Sequence, residues 1–477
     1  MRASRPGWDC ICYAGEDFFN KMSIVILGAG LAGLSCGYQL RGSNCHIYEK
    51  NKYYGGHTAT HCIDNCFWDE GPHISFTKHE FVKDLFQQTC STDILEQANN
   101  VANWYHGNWI PHPAQSNLFA VPEPLASACL NDFLETVASA DSLMPKPSNY
   151  AEWLDQSFGH TFATTFPYAY TRKYWTCQPE QLTVDWVGER VFRPDLKTVI
   201  EGYSRPAPVT NHYFSKFRYP TAGGFASFLH GLAENLNIFL DHEVLSIDLD
   251  NRRIHFSNGN TANYDRLINT LPLPVFLSKC IQASDSVKAA SELLACSSVL
   301  LVNIKAKAGS LKDYHWMYVY DEDMLSTRIT QIHRLSTNNC PDNVIGVQIE
   351  VYESKYRPFK MTHEEIKIKV LDEVTAMGLV DDLESILSVH TQYIPFANVI
   401  FDHNRRKAQD LIFSWLEGYG LIREPDDLNP MTDWSESIVP RGEGLIYNAG
   451  RYAQWKYFWT DDCIMRGRQL ANALINI

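Results

Sequence analysis

The sequence predicts an α/β protein in which a Rossmann-type nucleotide-binding domain is joined to a mixed α+β domain. Three observations support this fold class. The apolar run 24–27 leads into a glycine-rich turn and has the pattern of a parallel strand buried on both faces. An acidic residue ends the next predicted strand. The chain of 477 residues is long enough for roughly three domains of ~150 residues.

The glycine-rich turn reads G-x-G-x-x-G at Gly28, Gly30 and Gly33. Gly28 permits the tight turn out of the strand, and Gly30 lets a pyrophosphate approach the backbone. Gly33 allows the following helix to pack on the strand. Because a helix N-terminus presents free N–H groups and a positive dipole end to phosphates, Leu31 and Ala32 are predicted to contact a cofactor.

An acidic residue follows the second predicted strand, His46-Ile47-Tyr48. Glu49 comes about 20 residues after the first glycine of the turn, which is the position that accepts hydrogen bonds from a ribose diol in dinucleotide-binding domains. The strand, the glycines and the carboxylate together predict a dinucleotide site. The alternative is a glycine-rich turn in an unrelated α/β domain.

The composition excludes several classes of partner. Lys plus Arg number 41 and Asp plus Glu number 55, which gives a net charge of −14, so neither nucleic acid nor an anionic membrane is an expected partner. A local arginine cluster could still bind an anionic small molecule. Aromatic residues make up 13% of the chain, which suits an aromatic-lined pocket. No apolar run approaches the ~20 residues that a membrane span needs.

The cysteines and the N-terminal residues indicate the cellular compartment of the protein. The 13 cysteines are scattered, without a C-x-x-C motif or zinc-ligand spacing. We therefore expect free thiols, no metal site and a cytoplasmic protein. Residues 1–21 carry charges and no apolar core of a signal peptide. They are expected to be a disordered, dispensable extension.

Periodicity predicts further elements. Apolar spacing indicates helices over 225–236 and 405–420, and alternation indicates hairpin strands at 240–247 and 253–256. In the second helix, Leu411 is expected in the core and Arg405 on the solvated face.

The segment after Glu49 resembles a known signature. Gly55 and Gly56, a few residues past the carboxylate, resemble the FAD-binding signature of the large flavoprotein family that includes amine oxidases and protoporphyrinogen oxidase. The resemblance implies FAD as the cofactor, with Lys50 and His57 also close to it. It implies a catalytic cycle in which the substrate transfers a hydride to flavin N5.

The same resemblance extends towards the C-terminus. A strand at 445–449 is followed by Gly450-Arg451 and by a helix over roughly 462–475, whose positive N-terminal end in this family faces the flavin pyrimidine. The implied cofactor-binding positions are Val244, Gly450, Arg451, Asp462, Cys463 and Ile464. The implied domains are an FAD-binding domain at 22–77, 216–287 and 436–477, and one or more substrate-binding domains at 78–215 and 288–435.

Four segments resemble UDP-galactopyranose mutase, a flavoenzyme of this superfamily that uses reduced FAD without net oxidation. They are 71–77, 170–182, 327–331 and 450–457. The resemblance implies that His73 lies beside the flavin and that Arg328 faces a sugar diphosphate, since a guanidinium fork binds phosphate bidentately. The candidate catalytic residues are His73, Arg328 and Tyr457. The candidate substrate-binding residues are Tyr170, Trp175, Arg190, Arg193, Arg328 and Tyr457.

Three functions remain open from the sequence. The first is an FAD-dependent oxidoreductase of the amine oxidase or protoporphyrinogen oxidase type, acting on a small molecule. The second is a sugar-nucleotide mutase of cell-surface polysaccharide biosynthesis. The third is a protein that holds FAD without turnover. The oligomeric state is not predicted.

Overall fold

The computed structural model describes residues 22–139, 145–206, 215–309, 312–425 and 444–475. The expected extension at 1–21 and positions 436–443 of the expected FAD-binding domain lie outside these residues. The strands are β1 (Ile24–Leu27), β2 (Cys45–Tyr48), β3 (Thr60–Ile63), β4 (Cys66–Asp69), β5 (Ile94–Ala98), β6 (Val101–Tyr105), β7 (Asn108–Pro111), β8 (Lys216–Pro220), β9 (Ile238–Phe239), β10 (Val244–Asp248), β11 (Arg253–Phe256), β12 (Thr261–Asn263), β13 (Arg266–Asn269), β14 (Ala295–Lys307), β15 (Trp316–Val319), β16 (Arg328–Gln331), β17 (Val344–Glu353), β18 (Ile386–Ile400) and β19 (Ile446–Asn448).

The α-helices lie between or after these strands in the sequence. They are α1 (Leu31–Gln39), α2 (Glu80–Thr89), α3 (Leu125–Ser139), α4 (Tyr150–Phe158), α5 (His160–Thr165), α6 (Pro167–Tyr174), α7 (Leu196–Ser204), α8 (His230–Ala233), α9 (Leu273–Lys279), α10 (Asp285–Leu293), α11 (Ile332–Leu335), α12 (His363–Ala376), α13 (Arg405–Glu417) and α14 (Thr460–Ile475). Within the described ranges, no helix is both long and apolar enough to cross a membrane.

A five-stranded parallel sheet holds the glycine-rich turn. Its order is β19-β13-β1-β2-β9, and β1 pairs in parallel with both β2 and β13. All four residues of β1 are buried, as expected of a strand covered on both faces. The strands come from segments far apart in the chain, so their carboxyl ends bring distant residues to one edge.

A seven-stranded mixed sheet forms the second layer. Its order is β18-β14-β17-β16-β15-β6-β7. The long strands β14 and β18 pair antiparallel, while β15 and β6 pair in parallel. An apolar cluster between this sheet and α12 includes Val302, Ile349 and Val370. The sheet therefore gives a rigid wall on which the side chains of β15, β16 and β17 are fixed.

Several elements differ from the sequence-based predictions. The helix expected over 225–236 is a 3₁₀ turn at Phe225–Leu229 followed by α8. The C-terminal helix begins at Thr460 rather than near 462. The helix expected over 405–420 is confirmed as α13, but Leu411 is 41% exposed and Arg405 only 2% exposed. Arg405 is buried because its Nε and Nη2 donate to the Trp455 carbonyl at 3.0 and 2.6 Å.

Candidate active site

The glycine-rich turn has the geometry that a diphosphate needs. Gly28 has φ +99° and leaves β1 in a conformation that favours glycine. A Cβ on Gly33 would overlap the carbonyl oxygen of Gly28, so this glycine serves helix packing. A Cβ on Gly30 would meet only Gly56 Cα, at 3.8 Å. The space in front of Gly30 is therefore open, at the N-terminus of α1.

The acidic strand end lies beside this turn. Glu49 is 6% exposed, and its Oε2 accepts a hydrogen bond from Ala29 N at 2.9 Å. Its carbonyl accepts one from His242 N at 2.8 Å, which brings the start of β10 and Val244 next to the second strand. Lys50 follows Glu49 as an exposed residue. The carboxylate and the glycines thus share one edge of the parallel sheet.

The C-terminal segment closes over α1. Ser35 Oγ donates to the Ile464 carbonyl at 2.7 Å. A Cβ on Gly450 would lie 2.8 Å from Ala32 Cβ, so the chain needs glycine there to approach the first helix. Cys463 follows in the first turn of α14, and burial raises the pKa of its thiol to about 12.

A cavity of about 380 Å³ lies against the seven-stranded sheet, whose strands β14 to β18 all contribute to its wall. Three arginines, two carboxylates, three histidines and many aromatic rings line it. The charged and imidazole groups are Arg190, Arg328, Arg451, Glu70, Glu350, His57, His73 and His112. The tyrosines are Tyr150, Tyr170, Tyr174, Tyr318, Tyr320, Tyr352 and Tyr457, with Trp175, Trp186, Trp316 and Trp459 beside them.

Arg190 ends a 3₁₀ turn, Gly188–Arg190, and enters the cavity. Its guanidinium lies over the rings of Tyr457 and Trp459, at 4.9 and 4.3 Å from their centroids. Nη2 lies 3.2 Å from Asp462 Oδ2, and the arginine side chain is 9% exposed. Nε and Nη1 are buried without a hydrogen-bond partner in the part of the chain that the structure describes. Both nitrogens can therefore donate hydrogen bonds to an anionic ligand.

Arg328 begins β16 and is paired across the sheet with Glu350 of β17. Nε and Nη2 donate to the two carboxylate oxygens at 2.6 and 2.7 Å. Burial opposes the charge of Arg328, but Glu350, Tyr352 and Tyr174 together outweigh it and hold the pKa of the guanidinium well above its ordinary value. The side chain is still 23% exposed, on the cavity side.

Two neutral imidazoles face each other in the cavity. The rings of His57 and His73 are 5.4 Å apart in an edge-to-face arrangement. Burial lowers the pKa of His73 to about 4, with Arg328 and Arg451 acting in the same direction. Burial and the neighbouring His73 lower the pKa of His57 well below its ordinary value. His73 Nδ1 lies 2.8 Å from the Gly71 carbonyl and therefore carries the proton, which leaves Nε2 as an acceptor.

Arg451 is the third arginine of the cavity lining. Its Nη2 donates to Asn398 Oδ1 at 2.7 Å, and Tyr174 Oη donates to the same oxygen at 3.0 Å. The guanidinium lies 5.2 Å from the Tyr457 ring centroid. Arg451 is thus held at a fixed place between the cavity and the glycine-rich turn.

The structure brings most of the substrate-binding candidates together and leaves one outside. Tyr170, Trp175, Arg190, Arg328 and Tyr457 all line the cavity. Arg193 is exposed, donates to the Gln156 carbonyl at 3.3 Å and is absent from the cavity lining.

Sequence reasoning missed two residues that shape the site. Glu350 pairs with Arg328, and Asn398 orients Arg451. The sequence contains a signal for Glu350, because a carboxylate inside the mostly apolar segment 344–352 needs a partner if the strand is buried.

A glycine-rich turn and a carboxylate at one edge of a parallel sheet, together with a cavity against the second sheet, have the arrangement of a dinucleotide-dependent enzyme. The chain belongs to the flavin containing amine oxidoreductase family, whose sequence pattern matches residues 31–475. Its cofactor is FAD, and the open space before Gly30, the free first turn of α1 and Glu49 fit this dinucleotide.

Solved structures share the fold. A crystal structure of reduced UDP-galactopyranose mutase is 24% identical, with a TM-score of 0.82 and 95% of each chain covered. A putative protoporphyrinogen oxidase from Exiguobacterium sp. is 16% identical, with a TM-score of 0.70 over 96% of this chain and 99% of that chain. A redesigned putrescine oxidase is 13% identical, with a TM-score of 0.59 over 96% and 99% of the two chains.

Proposed function

We propose that this flavoenzyme binds a nucleotide sugar in the cavity, with the diphosphate on Arg190. The observation that carries the proposal is the pair of buried donors on that residue. A guanidinium nitrogen without a partner is costly in a buried site, and phosphate oxygens match its fork. Arg190 has one carboxylate neighbour on a single nitrogen, so it retains the capacity to bind a second anion.

The remaining lining suits a hydroxylated substrate better than an amine. Tyrosine hydroxyls and the Asn398 amide offer donors and acceptors along the wall. Glu350 is paired with Arg328 and Asp462 with Arg190, while Glu70 accepts hydrogen bonds from Tyr53 and Gln392. These carboxylates are already engaged, so they offer a protonated amine little attraction, which disfavours the amine oxidase reaction.

For the reaction, we favour isomerisation between the pyranose and furanose forms of the sugar. FAD supplies a nucleophile in its reduced form, without net oxidation of the substrate. The chain binds the diphosphate through Arg190, surrounds the substrate with aromatic side chains, and holds His73 neutral near Arg328. The high structural similarity to the mutase agrees with this choice.

A second candidate is oxidation of the same nucleotide sugar by hydride transfer. The neutral pair His57 and His73 favours it, because an imidazole with an acceptor nitrogen can take the proton of an alcohol as the hydride leaves. The two candidates share the substrate and differ in whether electrons leave it.

Titration of the FAD-loaded protein with UDP and with UDP-galactose tests the shared substrate. The wild-type protein should bind both, and Arg190→Met should weaken binding at least tenfold without loss of FAD. Arg193→Met is the matched control, because Arg193 lies outside the cavity lining, and it should bind as the wild type does. Equal affinity of the Arg190 variant and the wild type would refute the diphosphate role.

A further inference from the structure

The loop between β15 and β16, residues 321–326, links two parts of the cavity wall. It follows Tyr318 and Tyr320, which line the cavity, and it precedes Arg328. The position of Arg328 along the sheet therefore depends on how this loop is held. We call residues 321–326 the 321–326 loop.

A fully buried lysine holds both ends of the loop. Lys173, near the end of α6, is 1% exposed. Its Nζ donates to the carbonyl of Asp321 and to that of Ser326, each at 2.7 Å. Because these carbonyls belong to the first and last residues of the loop, one ammonium group fixes the span between the two strands.

A buried carboxylate holds the loop from the other side. Glu373 of α12 is 7% exposed, and its oxygens accept from Leu325 N at 2.7 Å and from Ser326 N at 2.9 Å. The next residue, Thr327, donates its N–H to the Glu350 carbonyl at 2.9 Å. The loop thus ends at the strand that supplies the partner of Arg328.

The helix that carries Lys173 also faces the substrate. Tyr170 and Tyr174 of α6 line the cavity, and Arg172 of the same helix forms an ion pair with Glu322 of the loop at 2.6 Å. The two neighbouring side chains Arg172 and Lys173 therefore bind the loop while the tyrosines contact the cavity. This arrangement couples α6 to β15 and β16.

We propose that Lys173 is a positioning residue, which locks the 321–326 loop to α6 so that Arg328 and the tyrosines of both elements form one substrate-binding wall. This inference rests on the proposed function, because it assigns Lys173 a role in nucleotide-sugar affinity. Lys173 is not among the described residues that line the cavity, so it acts only through the loop.

The hydrogen bonds from Lys173 to the loop depend on pH, because they depend on the charge of the lysine. Burial lowers its pKa to about 7, although Glu373, Asp321 and Glu322 favour the charged form; Arg357 opposes it. As the pH rises through this value, the ammonium loses a donor and its charge, so its hold on the two carbonyls weakens. Below this value the lysine is charged, and its hydrogen bonds to the two carbonyls are strongest.

Affinity for UDP-galactose between about pH 6 and about pH 8.5 tests the proposal, since the diphosphate diester has no proton to lose in this range. In the FAD-loaded wild type, the dissociation constant should rise several-fold with pH. Lys173→Met should bind weakly at both pH values, whereas Lys173→Arg, which stays charged, should keep its affinity at the higher pH.

Lys369→Met is the matched control. Lys369 donates to the Asp323 carbonyl of the same loop at 2.9 Å, but from the exposed side, so its variant should follow the wild-type curve. A wild-type curve that does not change with pH, or a Lys173→Met variant that binds as the wild type does, would overturn the proposal.

Hydrogen exchange gives a readout that needs neither a variant nor a ligand. After correction for intrinsic rates, the amides of Leu325, Ser326 and Thr327 should lose protection as the pH rises through about 7, while Ile329 in β16 should not. Unchanged protection of the loop would overturn the proposal. If the loop amides lose protection as expected but UDP-galactose binds at no pH, the proposed substrate is wrong. The role of Lys173 in holding the 321–326 loop is then still supported.

Discussion

Arg190 and Asp462 join the cavity to the C-terminal helix. Arg190 Nη2 lies 3.2 Å from Asp462 Oδ2, and the same oxygen accepts the Trp459 N–H at 2.7 Å, immediately before α14. Burial raises the pKa of Asp462, and Arg190 opposes this rise. One carboxylate oxygen therefore serves both the start of the helix and the arginine that we assign to the diphosphate.

Asp462→Asn separates these two roles. The amide oxygen of asparagine can still accept the Trp459 N–H, while the negative charge beside Arg190 is removed. We expect UDP-galactose to bind several-fold more tightly, because Arg190 then has no competing anion on Nη2. Asp462→Ala should in addition lower the melting temperature, since it removes the cap. Weaker binding by Asp462→Asn would contradict this account.

Gly30 and Gly33 allow a matched test of the cofactor site. Gly30 has φ −78° and ψ −178°, which alanine adopts without strain, and a Cβ there would enter the space assigned to the pyrophosphate. Gly30→Ala should therefore fold normally and lose FAD. Gly33→Ala should lose stability, because its Cβ would overlap the Gly28 carbonyl oxygen. Flavin absorbance per chain and denaturation of the FAD-free proteins distinguish the two effects, and normal FAD content in Gly30→Ala would refute the assignment.

These glycines also show what the sequence could predict. The strand, the turn and Glu49 lie within one continuous segment, so their spacing alone indicates the dinucleotide site. Sequence reasoning placed Arg405 in solvent because its partner, the Trp455 carbonyl, is 50 positions away. The pairing of Arg328 with Glu350 depends on the register of β16 and β17, which no local pattern reveals.

The substrate candidates illustrate the same limit. Arg190 and Arg193 are three positions apart and equivalent in the sequence. The 3₁₀ turn that ends at Arg190 sends that side chain into the cavity, and Arg193 lies on the exposed side after it. The sequence favoured an oxidase, whereas our proposal of a nucleotide-sugar mutase starts from the two donors of Arg190 that have no partner among the described residues.

Breaking the Arg328 pair should cost stability. Arg328→Gln leaves Glu350, 2% exposed, without its cation, and loss of one partner of a buried pair costs about 3–5 kcal/mol. Arg172→Gln breaks an equally short pair with Glu322, whose side chain is 48% exposed, and should cost about 0–1 kcal/mol. Urea denaturation of the FAD-free proteins measures both values. Similar losses in the two variants would show that the burial of Glu350 does not decide the cost.

Protonation of His73 should destabilise the fold in mild acid. The pKa of His73 is about 4 in the folded protein and about 6.5 in an unfolded chain. Between these values the unfolded state binds more protons, so the free energy of unfolding increases with pH across this window and is constant for this group above it. His73→Gln should reduce the slope of stability against pH in this range. An unchanged slope would show that His73 is not held neutral.

The most direct test of the central claim is anaerobic incubation of the dithionite-reduced, FAD-loaded protein with UDP-galactose. Chromatography of the nucleotide sugars reports the product, and the flavin absorbance reports its redox state. The account predicts UDP-galactofuranose in many turnovers per flavin, with no reductant consumed after the first reduction. Absence of a furanose product, together with bleaching of the flavin when the oxidised protein is incubated anaerobically with the same nucleotide sugar and no dithionite, would contradict the mutase and establish the oxidation.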